Sequence, residues 1–296
     1  MKISVSLHRQ LKNMMIKKFL WLSLMALLLT NCENPVIDDN EDPEEPQGNL
    51  KVSIYQIGST PFSALTRSVD NCSRINYAIY TTEGKRVKQV NQESSAAGFG
   101  SAVFQLEPDT YQLVIVGHSS NGNPTMTDPT KIQFKNNQGF TDTFLHSQSV
   151  VVTEEGQDLT VELKRITALC RIVLTDDIPE DVAKLRFQYK GGSGAFDANT
   201  GLGCVNSIQT VELDVAPGQK EFDLYTFLHD IEGTIQLQVT AYDEDENVIC
   251  DRSFSIPMVQ NQVTWFSGPF FTGGTGSTGV TIVINTDWAG ETHITF

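Results

Sequence analysis

Short runs in which apolar and polar residues alternate fill the chain from about residue 50 onward. They are rich in Val, Ile, Tyr, Phe and Thr and are separated by Gly, Pro, Asn and Asp, a pattern that predicts β-strands joined by turns. Almost no segment has helical periodicity. The predicted strands are Leu50–Ile57, Ile75–Thr81, Arg86–Val90, Ala102–Leu106, Tyr111–Val116, Ser149–Val152, Leu159–Leu163, Thr167–Leu174, Leu185–Tyr189, Thr210–Val215, Glu221–Phe227, Thr234–Ala241, Val248–Ser255 and Gln262–Ser267.

These strands form two groups of about seven, which predicts an all-β protein with two transthyretin-like or immunoglobulin-like β-sandwich domains in tandem. We place the boundary at Arg165, so that residues 50–164 form the N-terminal domain and residues 165–296 the C-terminal domain. No Gly or Pro stands at that boundary, and we expect the two domains to be held in a fixed relation. One short helical turn is predicted at Asp177–Glu180, where an N-cap residue precedes a Pro.

Two local motifs fit this architecture. Glu83-Gly84 stands between two predicted strands and indicates a hairpin turn. The segment Leu106–Tyr111 predicts a tight turn followed by a Tyr whose ring covers the core edge and whose hydroxyl bonds nearby backbone.

The N-terminus has the features of an export signal. Lys17 and Lys18 precede an apolar run, Phe19–Leu29, which has the length of a signal-peptide core and is too short to span a bilayer as a helix. The run ends in Leu29-Thr30-Asn31-Cys32, which resembles a bacterial lipobox, although Asn31 departs from the usual Gly, Ala or Ser. Residues 1–31 are therefore predicted to be a lipoprotein signal peptide and Cys32 the lipidated N-terminus. The alternative is an ordinary signal peptide with an incidental Cys32.

Residues 32–49 are rich in Asp, Glu, Pro, Asn and Gly and predict an acidic, solvated tether. In lipoproteins of Bacteroides-type bacteria, an acidic patch behind the lipidated Cys resembles a signal for display on the outer face of the outer membrane. A charged linker without an address is the alternative. The net charge of the whole chain is −15, which argues against nucleic acid as a partner.

Four cysteines follow Cys32, namely Cys72, Cys170, Cys204 and Cys250. They form no Cys-x-x-Cys pair and have no His at ligand spacing, so we predict no structural zinc site. Three disulfide connectivities are open, and the sequence does not choose among them. Cys170 alternates in phase with apolar neighbours and is predicted to be a small core residue.

No arrangement typical of catalysis is present, and we predict no enzyme, no metal site and no cofactor. The histidines that follow the tether, His118, His146, His229 and His293, are widely separated. Asp243–Asn247 lacks the Gly of a calcium loop and is predicted to be a hairpin tip. Gly191–Gly194 lacks the Lys of a phosphate loop and is predicted to be a mobile loop.

The C-terminal segment is the most suggestive part of the chain. A hinge of Gly, Ser and Thr, residues 272–279, precedes an alternating strand in which Val280, Ile282 and Ile284 form an apolar row. A tethered strand of this kind can insert into the open sandwich of another subunit, because its backbone edge and apolar row complete that fold. The alternative is that the strand closes its own sheet.

Several motifs resemble those of the FimB-like fimbrial anchor family, fimbrillin-related lipoproteins of Bacteroides-type bacteria. They occur in a characteristic order and span nearly the whole mature chain. These carriers are the lipobox at Cys32, the run Arg165–Ile172, the segment Tyr189–Gly203, the run Asn261–Phe270 and the final strand with Asp287-Trp288.

The resemblance implies two transthyretin-like domains, a lipid anchor and assembly by strand exchange, in which a C-terminal strand fills the groove of a neighbouring subunit. In shaft and tip members of the family, an arginine-specific protease removes the first strand and so frees this groove. Arg67 stands at a comparable place, but an anchor keeps its first strand, so we expect Arg67 to be an ordinary loop residue.

The leading hypothesis is a non-enzymatic fimbrial anchor or minor subunit, attached by lipid to the outer membrane, exposed at the cell surface and joined to shaft subunits by strand exchange. The first alternative is a surface glycan-binding lipoprotein in which Tyr189, Trp265 or Trp288 stacks on sugar rings. The second is a hydrolase with paired carboxylates hidden in the strand pattern.

Overall fold

The computed structural model of the chain describes residues 48–58, 60–61, 72–135, 139–216, 218–272, 279–283 and 290–295. Within these ranges the protein consists of strands and turns, which confirms the predicted all-β class. The strands are β1 (Leu50–Ile57), β2 (Thr60–Pro61), β3 (Arg74–Thr81), β4 (Arg86–Glu93), β5 (Ser101–Phe104), β6 (Asp109–His118), β7 (Ile132–Gln133), β8 (Thr143–Val152), β9 (Gln157–Arg165), β10 (Ala168–Leu174), β11 (Lys184–Lys190), β12 (Gly192–Ser193), β13 (Ala195–Asp197), β14 (Leu202–Gly203), β15 (Gln209–Asp214), β16 (Glu221–Leu228), β17 (Glu232–Tyr242), β18 (Val248–Val259), β19 (Gln262–Gly268), β20 (Gly279–Val283) and β21 (Gly290–Thr295).

The first sandwich is a sheet that folds over on itself, in the order β2-β1-β9-β8-β6-β3-β4. Strand β5 pairs with β1 on the side away from β9. Strand β1 lies between antiparallel β5 and parallel β9. Strands β8 and β9 join the two leaves through two residue pairs, Phe144 with Arg165 and Leu145 with Lys164. Alternating apolar side chains of both leaves, among them Val52, Ile79 and Val161, meet between them and form the first core.

The second sandwich packs a six-stranded sheet, β12-β16-β10-β19-β21-β20, against a four-stranded sheet, β15-β11-β17-β18. Strand β19 lies between two parallel neighbours, β10 and β21. The second core contains Cys170, Phe187, Phe222, Ile256 and Ile294. Cys170 is completely buried there, which confirms its predicted role as a small core residue.

A third core joins the two sandwiches. Side chains on the outer face of β3 and β6, such as Tyr80 and Val116, meet Ile132 and Phe134 from the connection between β6 and β8. The second half of the chain adds Phe196 and Phe227. Because this core covers their outer faces, β3 and β6 are buried on both sides, and six consecutive residues of β3 are inaccessible or nearly so.

Backbone pairing crosses the same junction. Strand β7, which lies in the first half of the chain, pairs antiparallel with β13 of the second half. The Phe227 ring lies 6.1, 5.2 and 5.0 Å from the rings of Phe134, Phe140 and Phe196. The described residues of the two halves are therefore joined by a sheet and an aromatic cluster that neither half supplies alone. The domain division at Arg165 stays a prediction, since the strand pairing runs across it.

An ion pair lies beside this junction, where β9 leads into β10. The guanidinium of Arg165 donates to both carboxylate oxygens of Asp142, with Nε at 2.9 Å from each and Nη2 at 2.8 Å from Oδ2. Both side chains are about nine-tenths buried, at 9% and 10% exposure. The Thr167 hydroxyl also donates to Asp142, and the N–H of Asn261 donates to the Thr167 carbonyl. These bonds fix the backbone where the chain passes from β9 to β10 without a flexible linker.

The segment after β11 is a packed turn, so the prediction of a mobile loop at Gly191–Gly194 was wrong. Gly192–Ser193 pairs with β16, and Gly192, Ser193 and Gly194 are buried. A side chain at Gly192 would collide with the hydroxyl of Thr226, and one at Gly191 would collide with the Thr234 carbonyl. These glycines permit close approach of two backbones, a role that the sequence pattern alone does not separate from flexibility.

The predicted helical turn at Asp177–Glu180 was also wrong. The chain makes a β-turn there, closed by the Val182 N–H on the Pro179 carbonyl at 3.0 Å. Ala183 then donates to the Tyr242 carbonyl and leads directly into β11. Because β11 begins at Lys184, the chain has room for only this one turn after β10, and the tertiary context overrides the local capping signal.

The other local predictions were correct. Gly84 closes the β3–β4 hairpin with a φ of 80°. The Tyr111 hydroxyl donates to the Glu107 carbonyl at 3.0 Å. Asp243–Asn247 forms the tip between β17 and β18, where the Asn247 N–H donates to the Asp243 carboxylate at 2.8 Å.

Candidate functional site

The C-terminal strands form one edge of the six-stranded sheet. Strand β21 pairs parallel with β19 over six residues, from Gln262 with Gly290 to Ser267 with Thr295. Strand β20 pairs antiparallel with β21 and is the last strand in the order. Among the described residues nothing pairs with the outer side of β20, so the backbone N–H and C=O groups on that side face away from the sheet.

The other long edge strands carry features that discourage pairing with a foreign strand. Three such strands carry charged residues or a Pro, whose ring removes a backbone donor: β4 has Arg86 and Lys88, β15 has Glu212 and Asp214, and β18 has Asp251 and Pro257. Strand β20 reads Gly-Val-Thr-Ile-Val and has neither a charge nor a Pro. It is therefore the long edge best suited to accept another strand.

A carboxylate fixes the point at which the chain leaves the body of the second sandwich. Asp176 accepts the backbone N–H groups of Phe270, Phe271 and Thr272 at 2.9, 2.6 and 2.9 Å, and the Thr272 hydroxyl at 3.2 Å. Burial acts to raise the pKa of Asp176, but these backbone donors outweigh it and hold the pKa below its ordinary value. The Gly-rich stretch that follows thus begins from an anchored position.

The residues predicted for strand exchange are only partly within the described chain. Val280 and Ile282 lie in β20, paired with Ile294 and Thr292 of β21. Ile284 and the predicted lipidation residue Cys32 lie outside the described residues, as does Arg67.

Strand β21 was not predicted, although it supplies Ile294 to the second core. The signal for it is weak but present in Thr292, Ile294 and Thr295, which are β-branched residues close to the C-terminus. Its place between β19 and β20 means that β20 touches the body of the protein through β21.

The three aromatic residues of the glycan-binding alternative do not form a common platform. Tyr189 is buried in the second core, and its hydroxyl donates to the Tyr225 carbonyl at 2.8 Å. Trp265 is half-buried, with the Arg171 guanidinium 5.0 Å from its ring centre. Trp288 lies outside the described residues. Stacking of sugars on Tyr189 is therefore excluded by its burial.

The candidate histidines have structural surroundings. His118 is fully buried; its Nδ1 accepts the Ser120 N–H at 3.0 Å and its Nε2 lies 2.8 Å from Oδ1 of Asn76. Burial, aided by the positive charge of Arg74, lowers the pKa of His118 to about 3. The imidazole is thus held neutral by two bonds. His146 bonds the Glu162 carbonyl and His229 the Gly203 carbonyl.

The part of the chain that the structure describes contains neither a cluster of metal-binding side chains nor a disulfide. No group of three His, Cys, Asp or Glu side chains there is arranged to hold a metal ion. Cys72, Cys170, Cys204 and Cys250 are free thiols, and burial raises the pKa of Cys72 to about 12. Within the described ranges no helix has the length and apolar character needed to cross a membrane.

Solved structures of similar architecture come from Bacteroides-type bacteria. A candidate adhesin from Bacteroides ovatus is 14% identical with a TM-score of 0.46, and the match covers 70% of this chain and 82% of that one. The fimbrial anchor protein Mfa2 from Porphyromonas gingivalis is 12% identical with a TM-score of 0.42, covering 69% and 80%. A fimbrial assembly protein from Parabacteroides distasonis is 12% identical with a TM-score of 0.39, covering 78% and 93%.

No curated protein matches the sequence. One family model does match, and it covers residues 43–296, which is the acidic tether's end and the whole of both sandwiches. The chain therefore belongs to the family described as Family of unknown function (DUF6562).

Proposed function

We propose that this protein is a non-enzymatic fimbrial subunit of the anchor or minor type, attached to the outer membrane through a lipid on Cys32 and joined to shaft subunits by strand exchange at its C-terminus. The observation that carries the proposal is the edge strand β20, which lacks the charges and Pro found on β4 and β18. Backbone pairing supplies affinity in such a contact, and side-chain pockets supply specificity.

The clamp at Asp176 supports this role. It fixes the chain at Phe270–Thr272, after which residues 273–278 consist of three Gly, two Thr and one Ser. A short Gly-rich connection allows the strands after it to change partners without disturbing the body before it. The lipobox-like Leu29–Cys32 and the acidic residues 33–49 place the opposite end of the chain at a membrane surface under the same proposal.

The test is a full-length variant with Thr281→Lys and Val283→Lys, expressed in the native bacterium. These positions alternate with Val280, which pairs with Ile294 of the second core, and so belong to the opposite face of the sheet. We expect fibres to be lost from the cell surface into the medium, because charges on the edge strand oppose pairing with a shaft subunit. The unfolding midpoint of the purified variant is expected to stay near that of the wild type, since both substitutions lie on the face of the sheet opposite to the one that carries Ile294. The matched control is Val248→Lys, which puts the same charge on an exposed Val of the edge strand β18.

Three outcomes separate the alternatives. Retained fibres in the double variant would contradict strand exchange. A large drop in the unfolding midpoint would favour the reading in which the terminal strand closes its own sheet. Absence of a diacylglycerol on Cys32 in the mass spectrum of membrane-extracted protein would contradict the lipid anchor while leaving the strand-exchange test intact.

A further inference from the structure

The outer face of the four-stranded sheet β15-β11-β17-β18 carries a shallow trough of about 390 Å³. We call its polar lining the amide face and define it by Gln188, Lys190, Gln236, Gln238 and Ser253. The trough is distinct from β20, which belongs to the other sheet of the second sandwich. A ligand bound here would contact side chains on the face of a sheet, and it would not pair with the backbone of an edge strand.

Strand register explains the shape of the trough. Gln188, Gln238 and Ser253 are paired neighbours on three strands and form one row across the sheet. Lys190 and Gln236 form the next row on the same face. The row between them, Tyr189, Leu237 and Phe254, turns its side chains toward the core, so only backbone lies at the floor of the trough.

The amides of this face are held in position. Gln188 donates to the Thr210 hydroxyl at 3.4 Å, and Gln236 donates to the Ser255 hydroxyl at 3.0 Å. Gln238 donates to both carboxylate oxygens of Asp251 at 3.1 and 3.0 Å. Each bond uses the amide nitrogen, and among the described residues the three carbonyl oxygens accept no hydrogen bond, so they are available to the hydroxyl donors of a ligand.

The chemistry of the lining selects the class of ligand. The three carbonyl oxygens accept hydrogen bonds, and the amide nitrogens of Gln188 and Gln236 each keep a second hydrogen to donate, which matches neighbouring hydroxyls that both donate and accept. The lining has one charged side chain, Lys190, on a protein with a net charge of −15, so a polyanion is disfavoured. Ile208 stands at the rim with 61% of its surface exposed and offers an apolar contact for the C–H face of a sugar ring.

We propose that the amide face binds a neutral oligosaccharide of hexose units, lying in the trough across β11, β17 and β18. This goes beyond the proposed fimbrial role and uses none of the aromatic residues that a stacking platform requires. The two sites lie on different sheets, so the proposed sugar binding and the proposed strand exchange can be tested independently of each other.

The experiment titrates full-length mature protein with linear glucose and mannose oligomers of six units and follows binding by calorimetry. We expect saturable binding to at least one oligomer. Gln238→Ala and Gln236→Ala are each expected to weaken it at least about threefold, and the double variant at least about tenfold, because each loses a neutral hydrogen-bonding partner. The matched control is Gln89→Ala on β4, a surface Gln whose amide likewise bonds one neighbour, Asn91.

Several results would overturn the proposal. These are no binding of any oligomer at millimolar concentration, equal weakening by Gln89→Ala, and unchanged affinity in the double variant. Tighter binding of heparin than of every neutral oligomer would overturn the assignment of a neutral ligand. Because Gln236 and Gln238 have their side chains on the solvent side of the sheet, the unfolding midpoint of their variants is expected to match the wild type, which separates lost binding from lost folding.

Discussion

Two sheets of this molecule have opposite surroundings. The leaf containing β3 and β6 is buried on both faces, by the first core inside and by the third core outside. The sheet β15-β11-β17-β18 is buried on one face and presents Gln, Ser, Thr and charged residues on the other. The comparison shows where the protein is joined to itself and where it is open to a partner. Substitutions in the first region are expected to change stability, and substitutions in the second to change binding.

The largest effect is expected from Phe227→Ala, which removes the ring at the centre of the third core. Phe227 is fully buried and contacts the rings of Phe134, Phe140 and Phe196. Loss of a buried Phe costs about 3–5 kcal/mol in the free energy of unfolding, measured by chemical denaturation. Ile208→Ala, at an exposed residue just before β15 of the open sheet, is the control and is expected to change the free energy of unfolding by less than about 0.5 kcal/mol. Similar values for both would erase the distinction between the two sheets.

The two Arg–Asp pairs provide a second contrast. Arg165–Asp142 is buried at the junction, whereas Arg171–Asp223 has the same two-pronged geometry with both side chains about one-third exposed. Asp142→Ala leaves a buried guanidinium without its partner and is expected to destabilise by about 3 kcal/mol. Asp223→Ala is expected to cost about 0–1 kcal/mol. Denaturation midpoints of the two variants decide whether burial sets the difference.

Gly192→Ala tests the close approach of β12 to β16. The added methyl would meet the hydroxyl of Thr226, a residue that is itself buried and has little room to move. Overpacking of this kind costs about 1–3 kcal/mol. Gly156→Ala has open space, its nearest atom being 3.8 Å away, and is expected to be neutral or slightly stabilising. Equal thermal unfolding midpoints of the two variants would contradict the close packing of Gly191–Gly194 and favour a mobile loop.

The smallest effect is a pH dependence from His118. Its folded pKa is lowered to about 3 from 6.5, so between these values the unfolded chain binds a proton that the folded protein does not. Stability is therefore full above about pH 6.5 and falls by about 1.4 kcal/mol per unit as the pH decreases toward 5. His118→Asn is expected to flatten this slope, because it removes the imidazole that the folded protein keeps neutral. A flat wild-type profile between pH 6.5 and 5 would contradict the assignment.

The alternating strands were predictable because one face of each is polar. Gln236 and Gln238 of β17 show this pattern, and the predicted Thr234–Ala241 lies inside the observed Glu232–Tyr242. The third core was missed, although it left a signal: Tyr77–Tyr80 and Leu113–Val116 are continuous apolar runs, which is typical of strands covered on both faces. Strands β7, β12, β13 and β14 are two or three residues long, too short for periodicity to detect.

The candidate sites differ in how far sequence reasoning reaches. The Gly-rich hinge and Val280 are visible as a pattern, but the clamp by Asp176 joins residues more than ninety positions apart and has no local signature. The amide face likewise depends on the register of β11 with β17, which brings Gln188 and Gln238 together across fifty residues of chain. Pairing partners of that kind follow from tertiary structure and not from composition.

The pairing of β7 with β13 bears on how the chain matures as it is synthesised from its N-terminus. Once residue 165 has emerged, β3 and β6 have their inner partners, yet Phe134 and Phe140 still lack Phe196 and Phe227. This hydrophobic surface thus stays exposed until about sixty further residues have been added. During that interval the unfinished chain is a target for chaperones and for self-association.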